Sequence, residues 1–437
     1  MKHFAIIGAG ITGVTTADAL LERGYRVTVF DRNRYPAMET SFANGGQLSA
    51  SNAEVWNSTA TILKGLRWMM RRDAPLLVNP APSWHKYSWM AEFVANIPNY
   101  RANTIATTRL AIAARKALFA IADRENIAFD LERRGILHIY HDKKSFDAGA
   151  GVNALLREGG LDRVPVTPDE IRAIEPTLRG QYYGGFFTPS DSTGDIHKFT
   201  RGLADACVRR GAAFLQDADV TSIASGAQDV RIDWTSAEGA QSLAFDGVII
   251  CAGVASRRFA ADLGDRVNIY PVKGYSITVN LTSADSRNAA PTVSLLDEAA
   301  KIVTSRLGPD RFRVAGTAEF NGVNRDIRAD RIAPLVDWTR RNFAGIDTAS
   351  VVPWSGLRPM MPDMMPAVRP GRQPGVFYNT GHGHLGWTLS AATAQMVADL
   401  VEGAARARRP ASSGLHSPDK LGAILEGNLK ARRNVRA

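Results

Sequence analysis

Cysteine is nearly absent from this chain, which has only Cys207 and Cys251 among 437 residues. No metal-ligand spacing surrounds either of them, so the sequence predicts neither a disulfide framework nor a metal site, and a reducing cytoplasm fits. No apolar run reaches the roughly eighteen residues that a membrane-spanning helix needs. The apolar stretch after Lys2 is similar to a signal peptide, but cleavage there would destroy the glycine motif of residues 8–13, so we expect none.

The net charge is +10, and more than half of it lies at the C-terminus. Residues 404–437 hold eight Lys or Arg and two acidic residues, a net charge of +6, while the rest is nearly balanced. A basic tail of this kind fits contact with anionic lipid, and it fits a solvated terminus equally well. Because no aromatic residues lie between its basic residues, we expect no nucleic-acid partner.

The first thirty-one residues run in the order strand, glycine turn, helix, strand and acid. Gly8 permits a tight turn, Gly10 lets the backbone approach a pyrophosphate, and Gly13 lets the helix pack closely on the sheet. Asp31 ends the second strand, where an acid accepts a hydrogen bond from the ribose of an adenosine. Together they predict a βαβ unit that binds a dinucleotide.

A second glycine turn lies far along the chain, at residues 381–386, between an apolar strand and a helix expected from about 389 to 402. Apolar residues 247–251 predict another strand of the nucleotide sheet, whereas alternating patterns from Asn268 to Phe320 predict a separate, largely antiparallel sheet. The two turns indicate a long cofactor bound at both ends, although a nicotinamide cofactor remains an alternative at this point.

Six segments in order give the chain a resemblance to the D-amino-acid dehydrogenase small-subunit family, within the glycine oxidase and D-amino-acid oxidase class. The resemblance extends from Lys2 to about Gly403. Its carriers are the N-terminal motif through Asp31, residues 39–47, 193–195, 270–276, 356–360 and 379–388.

The resemblance implies an α/β fold: a Rossmann-like FAD-binding domain and an α+β substrate domain on a mainly antiparallel sheet. We expect the FAD domain at 1–56, 191–262 and 350–403, the substrate domain at 57–190 and 263–349, and a basic tail at 404–437. FAD is expected to bind without a covalent bond. The expected FAD-binding residues are Gly8, Gly10, Gly13, Asp31, Arg32, Thr40, Ser41, Asn44, Gly45, Gly46, Gln47, Gly253, Gly381, His382, Gly383, Leu385, Gly386, Trp387 and Thr388.

The reaction that the resemblance implies is oxidation of a D-amino acid to a 2-oxo acid and ammonia, by hydride transfer from Cα to flavin N5. Electrons would pass to a quinone or another respiratory-chain acceptor, with the protein cytoplasmic or peripheral on the inner membrane face. The alternatives are a D-hydroxyproline or opine dehydrogenase and an amine oxidase that uses oxygen. Two other classes also stay open, an RNA- or partner-binding flavoprotein and an NAD-dependent dehydrogenase.

Two residues are the catalytic candidates. Arg358 is predicted to bind the substrate carboxylate, because a guanidinium grips a carboxylate with two hydrogen bonds; the alternative is an ion pair with Asp363. Tyr275 either adds a hydroxyl to the same carboxylate or is a core aromatic. Lys273 lies either near the flavin or the substrate or on a surface strand, and we expect the surface strand. The methionines that follow Arg358 (360, 361, 364 and 365) either fill the core or line the pocket.

Overall fold

The computed structural model describes residues 1–68 and 75–407. Within them the strands are β1 (His3–Ile7), β2 (Arg26–Phe30), β3 (Gln47–Leu48), β4 (Leu76–Val78), β5 (Ile136–Tyr140), β6 (Val164–Val166), β7 (Gly184–Thr188), β8 (Ser192–Thr193), β9 (Ala213–Leu215), β10 (Asp219–Ser225), β11 (Val230–Ser236), β12 (Gly239–Phe245), β13 (Gly247–Ile250), β14 (Tyr270–Asn280), β15 (Ser294–Asp297), β16 (Ile302–Leu307), β17 (Arg311–Phe320), β18 (Val351–Met360), β19 (Ala367–Pro370) and β20 (Val376–Thr380).

The helices of the same residues are α1 (Ile11–Glu22), α2 (Thr59–Trp68), α3 (Trp84–Ala95), α4 (Tyr100–Glu125), α5 (Lys143–Glu158), α6 (Pro168–Ile174), α7 (Ile196–Arg209), α8 (Ser256–Asp262), α9 (Ala284–Ala289), α10 (Ala329–Asn342) and α11 (Gly386–Ala407). Short 3-10 turns lie at Ala50–Asn52, Ile97–Asn99, Gly253–Ala255 and Gly383–Leu385.

A six-stranded sheet has the order β19-β20-β13-β1-β2-β9 and is parallel except between β19 and β20. Its strands are nearly continuous apolar runs because both faces are covered. Helices α1, α4, α7 and α11 pack on one face, and the three-stranded sheet β10-β11-β12 packs with α8 on the other. The βαβ unit and the strand at 247–251 are therefore confirmed.

A nine-stranded sheet has the order β18-β14-β17-β16-β15-β5-β7-β6, with β4 paired to β17. Most of its pairs are antiparallel; β15 with β5 and β17 with β4 are the parallel ones. Helix α10 covers one face through Leu335 and Trp338. The predicted α/β fold class with a mainly antiparallel second sheet is confirmed.

Two elements cross the predicted domain boundaries. Strand β18 belongs to the nine-stranded sheet through its pairing with β14, although residues 350–403 were assigned to the FAD domain. Helix α4 packs on α11 in the core of the six-stranded sheet, although residues 57–190 were assigned to the substrate domain. The division into two domains stays a prediction. The basic tail lies outside the described residues from position 408 onward.

Local sequence signals explain several helix ends. Gly24 follows α1 with φ +75°, the left-handed conformation that glycine adopts without strain. At α6 the Thr167 side chain and Glu170 form a capping box, with Pro168 in the first turn. Helix α11 begins at Gly386, three residues before the predicted start, because the second glycine turn runs directly into it.

Candidate active site

One large cavity, about 2210 Å³ in volume, is lined by residues of both large sheets. Ligand pockets for small molecules occupy roughly 300–1000 Å³, so this cavity has room for an extended cofactor and a substrate together. Both glycine turns, the loop at residues 37–47 and strands β14 and β18 contribute to its wall.

The first glycine turn is fixed by backbone contact. Gly8 has φ +106°, and a Cβ on Gly13 would stand 1.9 Å from the carbonyl oxygen of Gly8. Gly8 and Gly10 line the cavity, while Gly13 lies behind the turn. Only glycine at position 13 therefore lets α1 start this close to β1.

Asp31 lies at the end of β2 and lines the cavity. Its carboxylate accepts hydrogen bonds from the backbone N–H of Ala9 at 2.6 Å and of Asn33 at 2.8 Å. Burial raises the pKa of Asp31, and these hydrogen bonds oppose the rise. The acid thus joins the glycine turn to the end of the second strand.

Arg32 also lines the cavity and pairs with Glu39 at 2.6 Å. Arg325, between β17 and α10, binds the second oxygen of Glu39 at 2.6 Å. Burial raises the pKa of Glu39, but the hydrogen bonds from Arg325 and Arg32 outweigh it and leave the pKa below its usual value. This cluster connects the loop after β2 with the nine-stranded sheet.

All the predicted FAD-binding residues between positions 40 and 47 line the cavity wall. Thr40 donates to the carbonyl of Leu357 at 2.8 Å, and Ser41 accepts from the N–H of Ile11 at 3.0 Å. Asn44 accepts from the N–H of Gly46 at 2.9 Å. The remaining members that line the cavity here are Gly45, Gly46 and Gln47.

The second glycine turn forms another part of the wall. The predicted residues that line the cavity here are Gly253, Gly381, His382, Gly383, Gly386 and Trp387. Leu385 and Thr388 do not line it: Leu385 packs in a small apolar cluster, and the Thr388 hydroxyl accepts from the N–H of Ser49 at 3.2 Å.

Two histidines of this turn have lowered pKa values; His382 is buried and His384 is half-buried. His382 bonds Thr393 at 2.9 Å, and burial lowers its pKa to about 3. His384 stacks on Trp56 and bonds the carbonyl of Asn52 at 3.2 Å, and burial lowers its pKa to about 4. Neither is suited to hold a proton near neutral pH.

Arg358 lies on β18 and crosses Gly274 of the neighbouring strand, where a Cβ would stand 2.3 Å from its Nη2. It donates to the carbonyl of Thr317 at 2.9 Å and lines the cavity. Within the described part of the chain it forms no ion pair; Asp363 instead accepts from the N–H of Met365. Burial lowers the pKa of Arg358 to about 10, which leaves a cation in the cavity wall.

Tyr275 is 1% exposed, and its hydroxyl donates to Glu319 at 2.7 Å. Lys273 is fully buried beside the same carboxylate at 3.5 Å and donates to Asn324 at 2.5 Å. The expectation of a surface Lys273 is wrong, because β14 is covered on both sides. The Tyr275 ring packs in the core and also lines the cavity, and its hydroxyl is bound to Glu319.

The methionines after Arg358 lie beneath the second glycine turn. Met360 and Met361 approach the positions where Cβ atoms on Gly383 and Gly381 would stand. Thr107 donates to the sulfur of Met365 at 3.2 Å. They fill core space around the turn, and the cavity wall is formed by other side chains.

Several residues of the cavity wall were not predicted from the sequence. His138 bonds Ser51 and Glu298 at 3.1 Å each, and Lys301 pairs with Glu298 at 2.5 Å. Arg163 also lines this wall. These residues come from four separate segments and carry no local motif, so nothing in the sequence identified them.

Within the described residues, no group of three or more His, Cys, Asp or Glu side chains is arranged to hold a metal ion. None of the helices in the same residues combines the length and the apolar character needed to cross a membrane.

The model of the family described as DAO, FAD dependent oxidoreductase, matches residues 3–400. A D-amino acid dehydrogenase 3 of Mesorhizobium japonicum is 66% identical over 402 residues, covering 92% of this chain and 97% of the relative. A D-amino acid dehydrogenase of Paramagnetospirillum magneticum is 40% identical over 409 residues, covering 91% and 94%.

Among solved structures, glycine oxidase from Geobacillus kaustophilus has a TM-score of 0.72 at 22% identity, with 95% of this chain and 97% of that chain covered. L-Proline dehydrogenase from P. horikoshii has a TM-score of 0.70 at 15% identity, with 92% and 93% covered. At these identities the likeness concerns the fold.

Proposed function

The chain belongs to this family of FAD-dependent oxidoreductases, and from that premise we propose that it catalyses the oxidative deamination of a D-amino acid to a 2-oxo acid and ammonia. The D-amino acid dehydrogenases named above, at 66% and 40% identity over nearly the whole chain, support this substrate class. The structural observation that carries the proposal is Arg358, which lines the cavity and forms no ion pair within the described residues.

The cavity residues fit FAD. The Gly8–Gly10 turn directs the start of α1 at the cavity, as a pyrophosphate requires. At the other turn, Nε1 of Trp387 and Nδ1 of His384 are buried without a hydrogen-bond partner in the described residues, so polar atoms remain free beside the cavity. We propose that the predicted FAD-binding residues that line the cavity hold the cofactor, with Asp31 at its ribose end.

Bound FAD supplies the acceptor for the hydride that leaves the substrate Cα. Arg358 binds the substrate carboxylate and so orients Cα, since a guanidinium offers two parallel donors. The N–H of Leu385 is already bound to the His382 carbonyl at 3.1 Å, so other backbone N–H groups of the second glycine turn offer donors to developing negative charge. Because burial lowers the pKa of His382 and His384, neither is suited to take a proton from the substrate ammonium; they shape the wall.

We propose Arg358 as the catalytic residue and Tyr275 as a residue that helps to hold Arg358 in position. Its hydroxyl is bound by Glu319, so Tyr275 stabilises β14, which carries Gly274 beneath Arg358.

A spectrum of the purified protein tests the cofactor, and anaerobic bleaching with D- and L-amino acids tests the substrate class. Flavin bands that bleach with D-amino acids are expected. Absent flavin bands would overturn the cofactor assignment, and bleaching by L-enantiomers alone would overturn the substrate assignment.

Replacement of Arg358 by Met tests the carboxylate role. A charge-assisted hydrogen bond contributes about 1.5–3 kcal/mol, so KM should rise about 10- to 100-fold. Arg306→Met is the matched control, because Arg306 also binds backbone carbonyls but does not line the cavity. An unchanged KM for Arg358→Met would assign the carboxylate to another residue.

We further propose that the electrons pass to a respiratory-chain quinone and that the cytoplasmic protein contacts the inner membrane face through its basic tail. Reoxidation of the reduced protein should be faster with a soluble quinone than with oxygen. Flotation with anionic vesicles should be lost when the chain is cut after Ala407. Faster reoxidation by oxygen, or equal flotation of both proteins, would contradict the respective proposal.

A further inference from the structure

One wall of the cavity has no part in the roles described above. It is formed by β5, α5 and the residues that follow β15, and it includes His138, Tyr140, Arg163 and Glu298. This wall meets the remainder of the site at the turn Ala50–Asn52.

Arg163 is the unusual member of this wall. It is 2% exposed, and its Nε and Nη1 are buried without a hydrogen-bond partner in the part of the chain that the structure describes. Its guanidinium lies 4.7 Å from the ring centroid of Phe186. Stacking fixes the guanidinium but supplies no opposite charge, and a buried unpaired cation is costly.

The groups around Arg163 supply no opposite charge to its guanidinium within the described residues. Tyr140 lines the same wall, and Gly149 of α5 makes room for the Tyr140 hydroxyl, which lies 2.5 Å from where a Cβ would stand. The nearby acid Glu298 is already bound by Lys301 at 2.5 Å and by His138 at 3.1 Å.

Glu54, a half-buried acid that also lines the cavity, accepts from the hydroxyl of Tyr100 at 2.7 Å. Burial raises the pKa of Glu54, which favours its neutral form. Within the described residues Arg163 has no carboxylate within ion-pair distance. The wall therefore presents a fixed cation toward the cavity.

The turn Ala50–Asn52 connects this wall to Arg358. Ser51 bonds His138 of the Arg163 wall, and the carbonyl of Asn52 bonds His384, whose pKa is lowered mainly by burial and further by the charge of Arg358. Arg163 and Arg358 thus line a single cavity, and neither forms an ion pair within the described residues; two histidines that line the same cavity bond the turn Ala50–Asn52.

We propose that Arg163 binds a second carboxylate of the substrate, distant from the one that Arg358 binds. The substrate is then an amine with two carboxylates, and this specificity rests on the proposed amino-acid oxidation. The second carboxylate belongs either to the side chain of an acidic D-amino acid or to an N-carboxyalkyl group. Both sources offer the same group to the guanidinium.

The test compares kcat/KM for D-aspartate, D-glutamate, D-2-aminoadipate and iminodiacetate with kcat/KM for D-alanine, in the holoenzyme. Arg163→Met should lower the ratio of the best diacid to D-alanine by about tenfold or more, and Arg163→Lys should restore part of it. A fall confined to the acidic D-amino acids identifies a side-chain carboxylate, and a fall confined to iminodiacetate identifies the N-carboxyalkyl group.

Arg157→Met is the control, because Arg157 is exposed on α5 and does not line the cavity; its ratio should equal that of the wild type. If Arg163→Met lowers kcat/KM for all substrates by the same factor, Arg163 has a structural role and the proposal fails. The proposal also fails if the wild-type protein oxidises none of the diacids faster than Arg163→Met does.

Calorimetry separates this proposal from the proposed reaction. Glutarate should bind the wild-type holoprotein more tightly than butyrate, and Arg163→Met should remove the difference. Equal binding of glutarate and butyrate to the wild type would overturn the subsite even if D-amino acids are oxidised. A difference that depends on Arg163 would support the subsite even if they are not.

Discussion

Two walls of the cavity are built in different ways. The first, from Gly8 to Asp31, is one continuous βαβ unit, held by backbone N–H groups that bond a backbone carbonyl or the Asp31 carboxylate. The second, around Arg358 and Arg163, comes from segments far apart in the chain, and each of its contacts needs a side chain, such as Arg358 on the Thr317 carbonyl. A backbone wall is specified by a few glycines at fixed spacing, whereas a side-chain wall requires many distant segments to fold correctly.

The turn Ala50–Asn52 shows how the second wall is held. Asp191 accepts hydrogen bonds from the N–H groups of Ala50 and Ser51 at 3.0 Å each and pairs with Arg115. Burial raises the pKa of Asp191, and Arg115 and these N–H groups oppose the rise. One buried acid thus positions the turn that contacts His138 and His384.

The largest effect should come from Gly13→Ala, which breaks the first wall. The added Cβ would stand 1.9 Å from the Gly8 carbonyl oxygen, so the glycine turn and α1 cannot keep their present approach. We expect loss of bound flavin, measured as the ratio of flavin to protein absorbance, and a lower Tm. Gly403→Ala on α11 is the control, because its Cβ meets nothing within 4 Å. A Gly13→Ala protein with full flavin content would refute this account of the turn.

Asp191→Asn breaks the second wall instead. It leaves the Arg115 cation buried without its acid, so the free energy of unfolding should fall by about 3–5 kcal/mol, measured by urea unfolding. The flavin that remains should bleach more slowly, because the turn beside His384 is no longer fixed. Asp169→Asn, an exposed acid on α6, should change neither quantity. Equal stability of Asp191→Asn and the wild type would contradict the role of this acid.

The smallest effect is on the pH dependence of the free energy of unfolding, and it comes from the histidines of the second wall. Burial holds the folded-state pKa of His138 and His384 at about 4, below the usual 6.5. Below about pH 6.5 the unfolded chain therefore binds more protons than the folded chain. Each histidine lowers the free energy of unfolding by up to about 1.4 kcal/mol per pH unit as the pH falls toward 4.

His384→Asn should therefore flatten the fall in the free energy of unfolding between about pH 7 and pH 4. His141 provides the opposite control. Asp297 raises its pKa, so His141 adds stability as the pH falls, and His141→Asn should steepen the same curve. Equal slopes for His384→Asn and the wild type would show that the His384 ring does not stay neutral.

The sequence predicted the first wall far better than the second. Gly8, Gly13 and Asp31 could be assigned because spacing along one strand-turn-helix unit fixes their positions. Arg358 was chosen with the help of a resemblance, and the alternative, an ion pair with Asp363, does not form within the described residues. Arg163 and the acids and histidines beside it were missed, since residues brought together by sheet packing share no period or motif.

The sequence by itself determined the βαβ unit, both glycine turns, the alternation of the two sheets along the chain and the family. Local backbone geometry and hydrophobic periodicity are encoded over short stretches, so they can be read there. Only the tertiary structure decided that Tyr275 and Lys273 are bound by a buried acid, and that Arg358 and Arg163 line one cavity without an ion pair in the residues that the structure describes. Which charges are compensated depends on long-range packing, and that packing sets the chemistry of the site.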